Sequence, residues 1–238
     1  MTINYNNRKI SAVIFDMDRL LVETSSIWEQ PAKSLMSSIN LKWTPEFSKY
    51  YRGMDAKGVV ETIFKILKPE VSIEKCHGLY RSNLLRAFRE QKIQPLAGAD
   101  AILRYLYKKV PLALASGSPP EGIKTVLNTF NWSQYFDVVI SSEKVGTGRG
   151  KPFPDVFIEA ARMLDVYPDE CLVLEDALEG VKAALSAEMQ CIAIPSAETN
   201  KIRELGVETF HSLEELQKKI NITGGKIKNG SIKVSTVC

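Results

Sequence analysis

The apolar positions of this chain change their period along its length, and the changes mark its elements. Residues 11–15 form a continuous apolar run that stops abruptly at Asp16-Met17-Asp18. An unbroken run of that length is the pattern of a strand buried on both faces of a parallel sheet. From residue 25 to about 91 the period becomes helical. Trp28, Ala32, Leu35, Met36 and Ile39 predict one helix, and Val59, Val60, Ile63, Phe64 and Leu67 a second with Asp55 as its N-cap. Leu84, Leu85 and Phe88 predict a third. Thr44-Pro45-Glu46 reads as a further helix start, an N-cap followed by proline at the first helical position. No strand-like run interrupts this stretch, so it is expected to be a small helical module inserted after the first strand.

From Pro95 onward strands and helices alternate. Apolar runs at 111–115, 138–141, 171–174 and 191–194 predict strands, and helical periodicity predicts helices at 101–107, 123–130, 156–164, 178–187 and 211–220. Ser118 and Glu121 stand at capping-box spacing before one helix, and Asp176 and Glu179 before another. Such alternation defines an α/β protein with a doubly wound, Rossmann-like parallel sheet. The predicted division is a core of residues 1–24 and 92–220, the helical module at 25–91, and a polar tail at 221–238. The tail shows no core pattern and is expected to be mobile, the alternative being a terminal hairpin turning at Asn229-Gly230.

Composition narrows the chemistry. The chain has 238 residues, 45% of them hydrophobic and 25% charged, as in an ordinary globular protein with a sizeable core. A net charge of +3 with no block of like charges gives no reason to expect a nucleic-acid partner. No apolar run reaches the roughly 20 residues of a membrane span, and the first ten residues lack the apolar region of a signal peptide. The expected setting is cytoplasmic, with Cys76, Cys171, Cys191 and Cys238 as free thiols, since no pair has zinc-site or redox-motif spacing. With only His77 and His211 available, a histidine-based triad or a multi-histidine zinc site is almost excluded. The chemistry must come from carboxylates, hydroxyls and lysines.

In a doubly wound sheet, ligands bind beyond the carboxyl ends of the strands. Those ends carry Asp16 and Asp18, then Ser116 and Gly117, then a loop with Lys151, then Glu175 and Asp176. Asp16 and Asp18 are two residues apart, so an extended chain aims both at one face. Each feature alone has a plainer reading: surface acids at a junction, a turn serine, a solvated lysine, a helix cap. Together they suit phosphate chemistry. Carboxylates from two strands offer the hard oxygen ligands that Mg²⁺ takes. Lys151, the Ser116 hydroxyl and the amides of the following helix start can hold a phosphate. One carboxylate can serve as nucleophile and its neighbour as general acid/base.

The motifs Asp16-Met17-Asp18, Ser116-Gly117-Ser118, Lys151-Pro152-Phe153-Pro154-Asp155 and Leu174-Glu175-Asp176 occur in the order of the haloacid dehalogenase superfamily, and the likeness covers roughly residues 10–216. The chain resembles its phosphatase and β-phosphoglucomutase branch, with a helical cap after the first motif. The resemblance implies that Asp16 attacks phosphorus and forms an aspartyl-phosphate, and that Asp18 protonates the leaving oxygen and then activates water. It implies Mg²⁺ held by Asp16, Asp18 through its main-chain carbonyl, and Asp176, with Glu175 nearby. Ser116, Gly117 and Lys151 would receive the phosphoryl group. The implied partner is a small phosphate ester, and the chain would be a monomer or weak dimer. True dehalogenases of this superfamily lack the second aspartate, so Asp18 points away from dehalogenation.

Within the branch, the sugar-phosphate mutases carry a histidine twelve residues after the nucleophile, where this chain has Trp28. The segment resembles the sugar-phosphate phosphatases instead. A phosphomutase, or a weakened relative that only binds phosphate ligands, remains the alternative. Arg52-Gly53-Met54 resembles the cap loop that faces the site, which makes Arg52, or less directly Lys57, a candidate substrate contact. Two positions depart from the family pattern: Arg19 and Glu188 stand where glycine is usual, and glycine there commonly serves a backbone with φ > 0. A guanidinium on a loop after a strand is usually hydrated, so Arg19 is expected to face solvent. The other reading is that it points into the site.

Overall fold

The computed structural model describes residues 2–5, 8–146, 148–195, 197–220 and 222–223. In chain order the elements are β1 (Thr2–Tyr5), β2 (Arg8–Ile10), β3 (Ala12–Phe15), β4 (Val22–Glu23), α1 (Ser25–Ser38), α2 (Ala56–Leu67), α3 (Ile73–Glu90) and β5 (Gln94–Pro95). They continue with α4 (Ala99–Leu106), β6 (Leu112–Ser116), α5 (Pro120–Phe130), β7 (Val138–Ser141), α6 (Asp155–Leu164), β8 (Cys171–Glu175) and α7 (Leu178–Ser186). The last are β9 (Gln190–Ala193), α8 (Thr199–Glu204), β10 (Glu208–Thr209), α9 (Leu213–Lys219) and β11 (Ile222–Thr223).

The main sheet has six parallel strands in the order β10-β9-β8-β3-β6-β7. Strand β3 lies at its centre, with Val13 opposite Leu112 on one side and Leu172 on the other. Its unbroken apolar run follows from this position, because both faces are covered. Val13 and Phe15 join Leu112, Leu114, Leu172 and Leu174 in one buried layer, while Ala12 and Ile14 join Ala113, Ala115, Cys171 and Val173 in the other. The two layers follow from the two-residue period of a strand. After β3 the chain builds outward through β6 and β7, then returns to the far side for β8, β9 and β10. The switch point therefore falls between the carboxyl ends of β3 and β8, where a ligand crevice is expected. The chain is the doubly wound α/β protein that its sequence predicts.

Between β4 and β5 the chain is helical, as the periodicity predicts. Asp55 caps α2 by accepting from the Gly58 amide at 2.7 Å, and Ser72 caps α3. The stretch begun by Thr44-Pro45 is a 3₁₀ helix, Pro45–Tyr50, and Thr44 makes no side-chain cap bond. The two crossings that flank this segment are not plain loops. Val22 pairs with Pro95 and Glu23 with Gln94 as a two-residue antiparallel ladder, reinforced by the Leu96 amide donating to Leu21 O at 2.9 Å.

Neither pair at capping-box spacing caps its helix. Helix α5 starts after Pro119 and α7 after Ala177, neither of which offers a side-chain cap. Ser118 and Asp176 are turned to the active-site side chains described below. Short elements with no clear period, β1, β2, β4, β5, β10, β11 and α8, were not predicted. Of the tail expected to be mobile, Ile222–Thr223 pair with β1, and its remainder, including Asn229-Gly230, lies outside the described residues. Cys76, Cys171 and Cys191 are free and buried. No helix among the described residues is long and apolar enough to cross a membrane.

Candidate active site

The carboxyl ends of β3, β6 and β8 bring Asp16, Ser116 and Glu175 together, all of them buried. The loop before α6 contributes Lys151, which is buried beside them. Its ammonium lies 2.5 Å from Asp16 Oδ1 and 2.5 Å from Glu175 Oε1, and 3.3 Å from the Ala115 carbonyl. Burial alone would lower the pKa of this lysine, but the two carboxylates raise it, so it stays charged. Glu175 is held from its other side: its Oε2 accepts from the amides of Asp176 at 2.8 Å and Ala177 at 3.0 Å.

Asp16, Glu175 and Asp176 each present an oxygen within 4.8 Å of the others. Burial raises the Asp16 pKa well above the usual carboxylate range against the pull of Lys151, and Glu175, Asp18 and Asp176 push it the same way. Burial likewise lifts Asp176 to about 6, with Arg19 opposing and Glu175 assisting. Buried acids this close, strained towards protonation despite a lysine among them, form a site short of positive charge. An all-oxygen donor set of this kind fits a hard divalent cation such as Mg²⁺.

The Asp18 carboxylate is not part of that cluster. It is turned to four donors. Ser116 Oγ and Ser118 Oγ donate to its Oδ2 at 2.9 and 2.7 Å, and Thr24 Oγ1 and Trp28 Nε1 to its Oδ1 at 2.8 and 2.9 Å. The metal role read for Asp18 therefore does not extend to its side chain, which leaves only the main-chain carbonyl named above. Sequence reasoning gave Thr24 no role and Ser118 only a capping spacing, although Thr24 lies six residues after Asp18 and Ser118 ends the Ser116-Gly117-Ser118 motif.

Arg19 corrects the expectation of a hydrated side chain. Its side chain is only 13% exposed, and its Nε donates to Asp176 Oδ2 at 3.1 Å. Arg19 and Glu188 have φ of 60° and 59°, so both departures from glycine sit in the left-handed region that favours it.

A pocket opens over the acids, lined by Asp16, Asp18, Arg19, Trp28, Gly117 and Asp176 from one side and by Tyr51, Arg52, Gly53 and Met54 from the other. Arg52 thus lies where the sequence places it, and its buried Nε has no hydrogen-bond partner among the described residues. Lys57 does not line this pocket; it pairs with Glu61 at 3.6 Å on the exposed side of α2. The segment is seated closely. A Cβ on Gly117 would stand 2.8 Å from the Met54 carbonyl, and one on Gly53 2.9 Å from Ala177 Cβ. Only glycine at these two positions permits that approach.

The haloacid dehalogenase-like hydrolase family matches residues 13–194. The chain belongs to this family of hydrolases and is an enzyme of it. Among relatives, it is 30% identical over 201 residues to a bifunctional riboflavin kinase/FMN phosphatase of Arabidopsis thaliana, a match that covers 82% of this chain but only 52% of that protein. It is 26% identical over 183 residues to the phosphorylated carbohydrates phosphatase of Thermotoga maritima, covering 77% of this chain and 84% of the relative. Among solved structures, the β-phosphoglucomutase of Clostridium difficile aligns with a TM-score of 0.76 at 22% identity, over 88% of this chain and 96% of the other, a likeness of fold.

Proposed function

We propose that this enzyme is a Mg²⁺-dependent phosphatase of small phosphate monoesters, sugar phosphates foremost, acting through a phosphorylated Asp16. The observation that carries this reading is the meeting of Asp16, Glu175, Asp176 and Lys151 at the switch point of the sheet, with Asp18 two residues from Asp16 and fixed separately. The carbohydrate-phosphate relative from Thermotoga supports the substrate class.

Asp16, Asp176 and the Asp18 main-chain carbonyl would hold Mg²⁺, with Glu175 beside them. The ion would neutralise the acid cluster and the phosphoryl oxygens. Asp16 attacks phosphorus, the ester P–O bond breaks, and the leaving alkoxide takes a proton from Asp18. In the second half, Asp18 takes a proton from water, the water oxygen bonds to phosphorus, and the Asp16–phosphorus linkage breaks to release inorganic phosphate. Lys151 keeps Asp16 in place and offsets the repulsion between its carboxylate and an incoming dianion. The Gly117 backbone is proposed to receive phosphoryl oxygens, and Ser116 would do so by turning its hydroxyl away from Asp18 Oδ2. Residues 25–91 act as a cap, closing over the pocket with Arg52 facing the remainder of the substrate.

Trp28 favours hydrolysis over the mutase alternative. An indole N–H only donates, so this side chain cannot take up and pass on a proton as an imidazole at the same position could. The test is a phosphate-release screen over sugar phosphates and nucleotides with and without Mg²⁺, run beside Asp16→Asn. Release that requires Mg²⁺ and disappears in the variant is expected. Isomerised product without phosphate release would replace the reading by that of a mutase, and Asp16→Asn activity within about tenfold of wild type would remove Asp16 as nucleophile.

A further inference from the structure

We infer that Arg19 is a built-in counter-cation that competes with the divalent metal for Asp176 and so weakens the hold of this chain on Mg²⁺. The inference rests on the metal-dependent reading above and adds a role for a residue outside the family pattern.

Three observations carry it. The first is position: the Arg19 side chain is nearly buried, and its Nε reaches an oxygen of Asp176, one of the three acids that cluster at the site. The second is charge. Lys151 is bound to Asp16 and Glu175, and the Arg19 guanidinium sits on Asp176 with Asp18 and Asp16 also acting on it, so Arg19 is a fixed positive charge at the acids that would hold the metal. With glycine at position 19 the same acids would lose that positive charge and attract a divalent ion more strongly. The third is the backbone. Arg19 adopts φ 60° in a turn closed by its own amide donating to Val22 O at 2.7 Å. A conformation disfavoured for a residue with a Cβ is retained here together with a buried guanidinium.

A metal entering the cluster meets Arg19 in two ways. The guanidinium occupies an oxygen that could serve as a ligand, and its charge repels the ion across a site of low dielectric constant. Both effects have the same sign. Removing the guanidinium should therefore tighten Mg²⁺ binding by roughly tenfold or more. In exchange, Arg19 leaves the pocket more positive once Mg²⁺ is in place, which favours a dianionic ester.

The experiment is calorimetric titration of Mg²⁺ into the metal-stripped full chain, comparing wild type, Arg19→Gly and Arg19→Asn. Glycine is at ease at φ 60°, and asparagine tolerates it while keeping a polar side chain. The melting temperature of each protein is measured without metal and at a fixed, sub-saturating Mg²⁺ concentration. Both variants are expected to bind Mg²⁺ roughly tenfold more tightly and to gain more in melting temperature from the same Mg²⁺. If Arg19 served the fold alone, the metal-free melting temperature would move while the Mg²⁺ affinity stayed fixed, and the inference would be overturned. Equal or weaker affinity in both variants, with measurable binding in wild type, overturns the inference and leaves the proposed function standing. No Mg²⁺ binding by any of the three proteins overturns both.

Discussion

The indole of Trp28 donates to Asp18 Oδ1 at 2.9 Å, tying the first turn of α1 to the proposed acid/base. Thr24 shares that oxygen, and the two serines take the other, so the carboxylate is fixed in both tilt and depth. The Trp28 ring also packs near Tyr80, with centroids 6.5 Å apart. Trp28→Phe keeps an aromatic ring at the site and deletes the donor. The loss of one hydrogen bond to a charged group is expected to cost roughly 1.5–3 kcal/mol of stability at most. It should lower kcat about tenfold with little change in KM, because the group misaligned acts in the chemical steps. Steady-state kinetics on one alkyl phosphate would check this. A raised KM at constant kcat would instead assign Trp28 to substrate binding.

Gly180 makes room for Glu175. A Cβ at position 180 would stand 1.8 Å from Glu175 Oε1 and 2.5 Å from Oε2, an impossible contact for a buried carboxylate bound to Lys151 and two amides. Helix propensity favours alanine over glycine inside α7 by about 1 kcal/mol, but expelling Glu175 also takes from the buried Lys151 charge one of its two carboxylates. The second effect is larger. Gly180→Ala should destabilise the protein by about 2–4 kcal/mol and cut activity at least tenfold. Chemical denaturation gives the sign directly: a more stable variant would mean that Glu175 moves aside at no cost.

Much of the fold was legible because its central strand is buried on both faces. The run at 11–15 has no polar position, and the structure puts β3 between β6 and β8. The acids at the strand ends were legible only together, since each alone reads as a surface acid or a cap and only their convergence on one end of a parallel sheet points to chemistry. Short edge elements such as β10, two residues long, have no period to read. The cap spacing of Ser118 and Asp176 is a local pattern and carries no sign of their partners Asp18 and Arg19, which lie far away in sequence. The direction of Arg19 was misread for a related reason. Hydration is the default for a loop guanidinium, and only the fold reveals a buried acid within reach.

Arg81 on α3 bridges the helical segment to the sheet-bearing part of the chain. It reaches Glu143 through Nε and one terminal nitrogen, each at 2.9 Å, and the same nitrogen reaches Glu121 at 2.9 Å. The arginine side chain is 37% exposed, so each pair contributes no more than roughly 0.2–1 kcal/mol and is screened by salt. Little change in melting temperature is expected for Arg81→Ala. If residues 25–91 open and close as a cap, the variant should populate the open form several-fold more, because nothing else in that charge cluster is lost. Hydrogen exchange at the seam of Gly53 and Met54 with Gly117 would report it, and rising ionic strength should produce the same change in wild type. Exchange at the seam that is insensitive to both would show that backbone packing alone holds the segment closed.

The raised pKa of Asp176 has a signed consequence for stability without metal. Its ordinary value is 3.8, and burial lifts it to about 6 in the folded chain despite Arg19. Between those two values the folded state keeps a proton that the unfolded state has released. Folding therefore takes up a proton, and raising the pH through this window favours unfolding. The penalty is absent below about pH 4, grows up to about pH 6, and is constant above that. A shift of this size corresponds to roughly 2–3 kcal/mol. Asp176→Asn has no proton to lose. It does leave Arg19 without its carboxylate, but the guanidinium is charged throughout this range, so that cost shifts the curve without tilting it. Urea denaturation of both proteins in chelator, from pH 4 to 7.5, isolates the slope. Relative to Asp176→Asn, wild type is expected to lose stability as pH rises to 6 and then run parallel to it. Added Mg²⁺ should reverse the loss in wild type, because a metal that binds the ionised acids stabilises only the folded chain that presents them. A stability difference that stays flat with pH, or that grows in favour of wild type as pH rises, would mean that Asp176 is ionised in the folded chain well below pH 6.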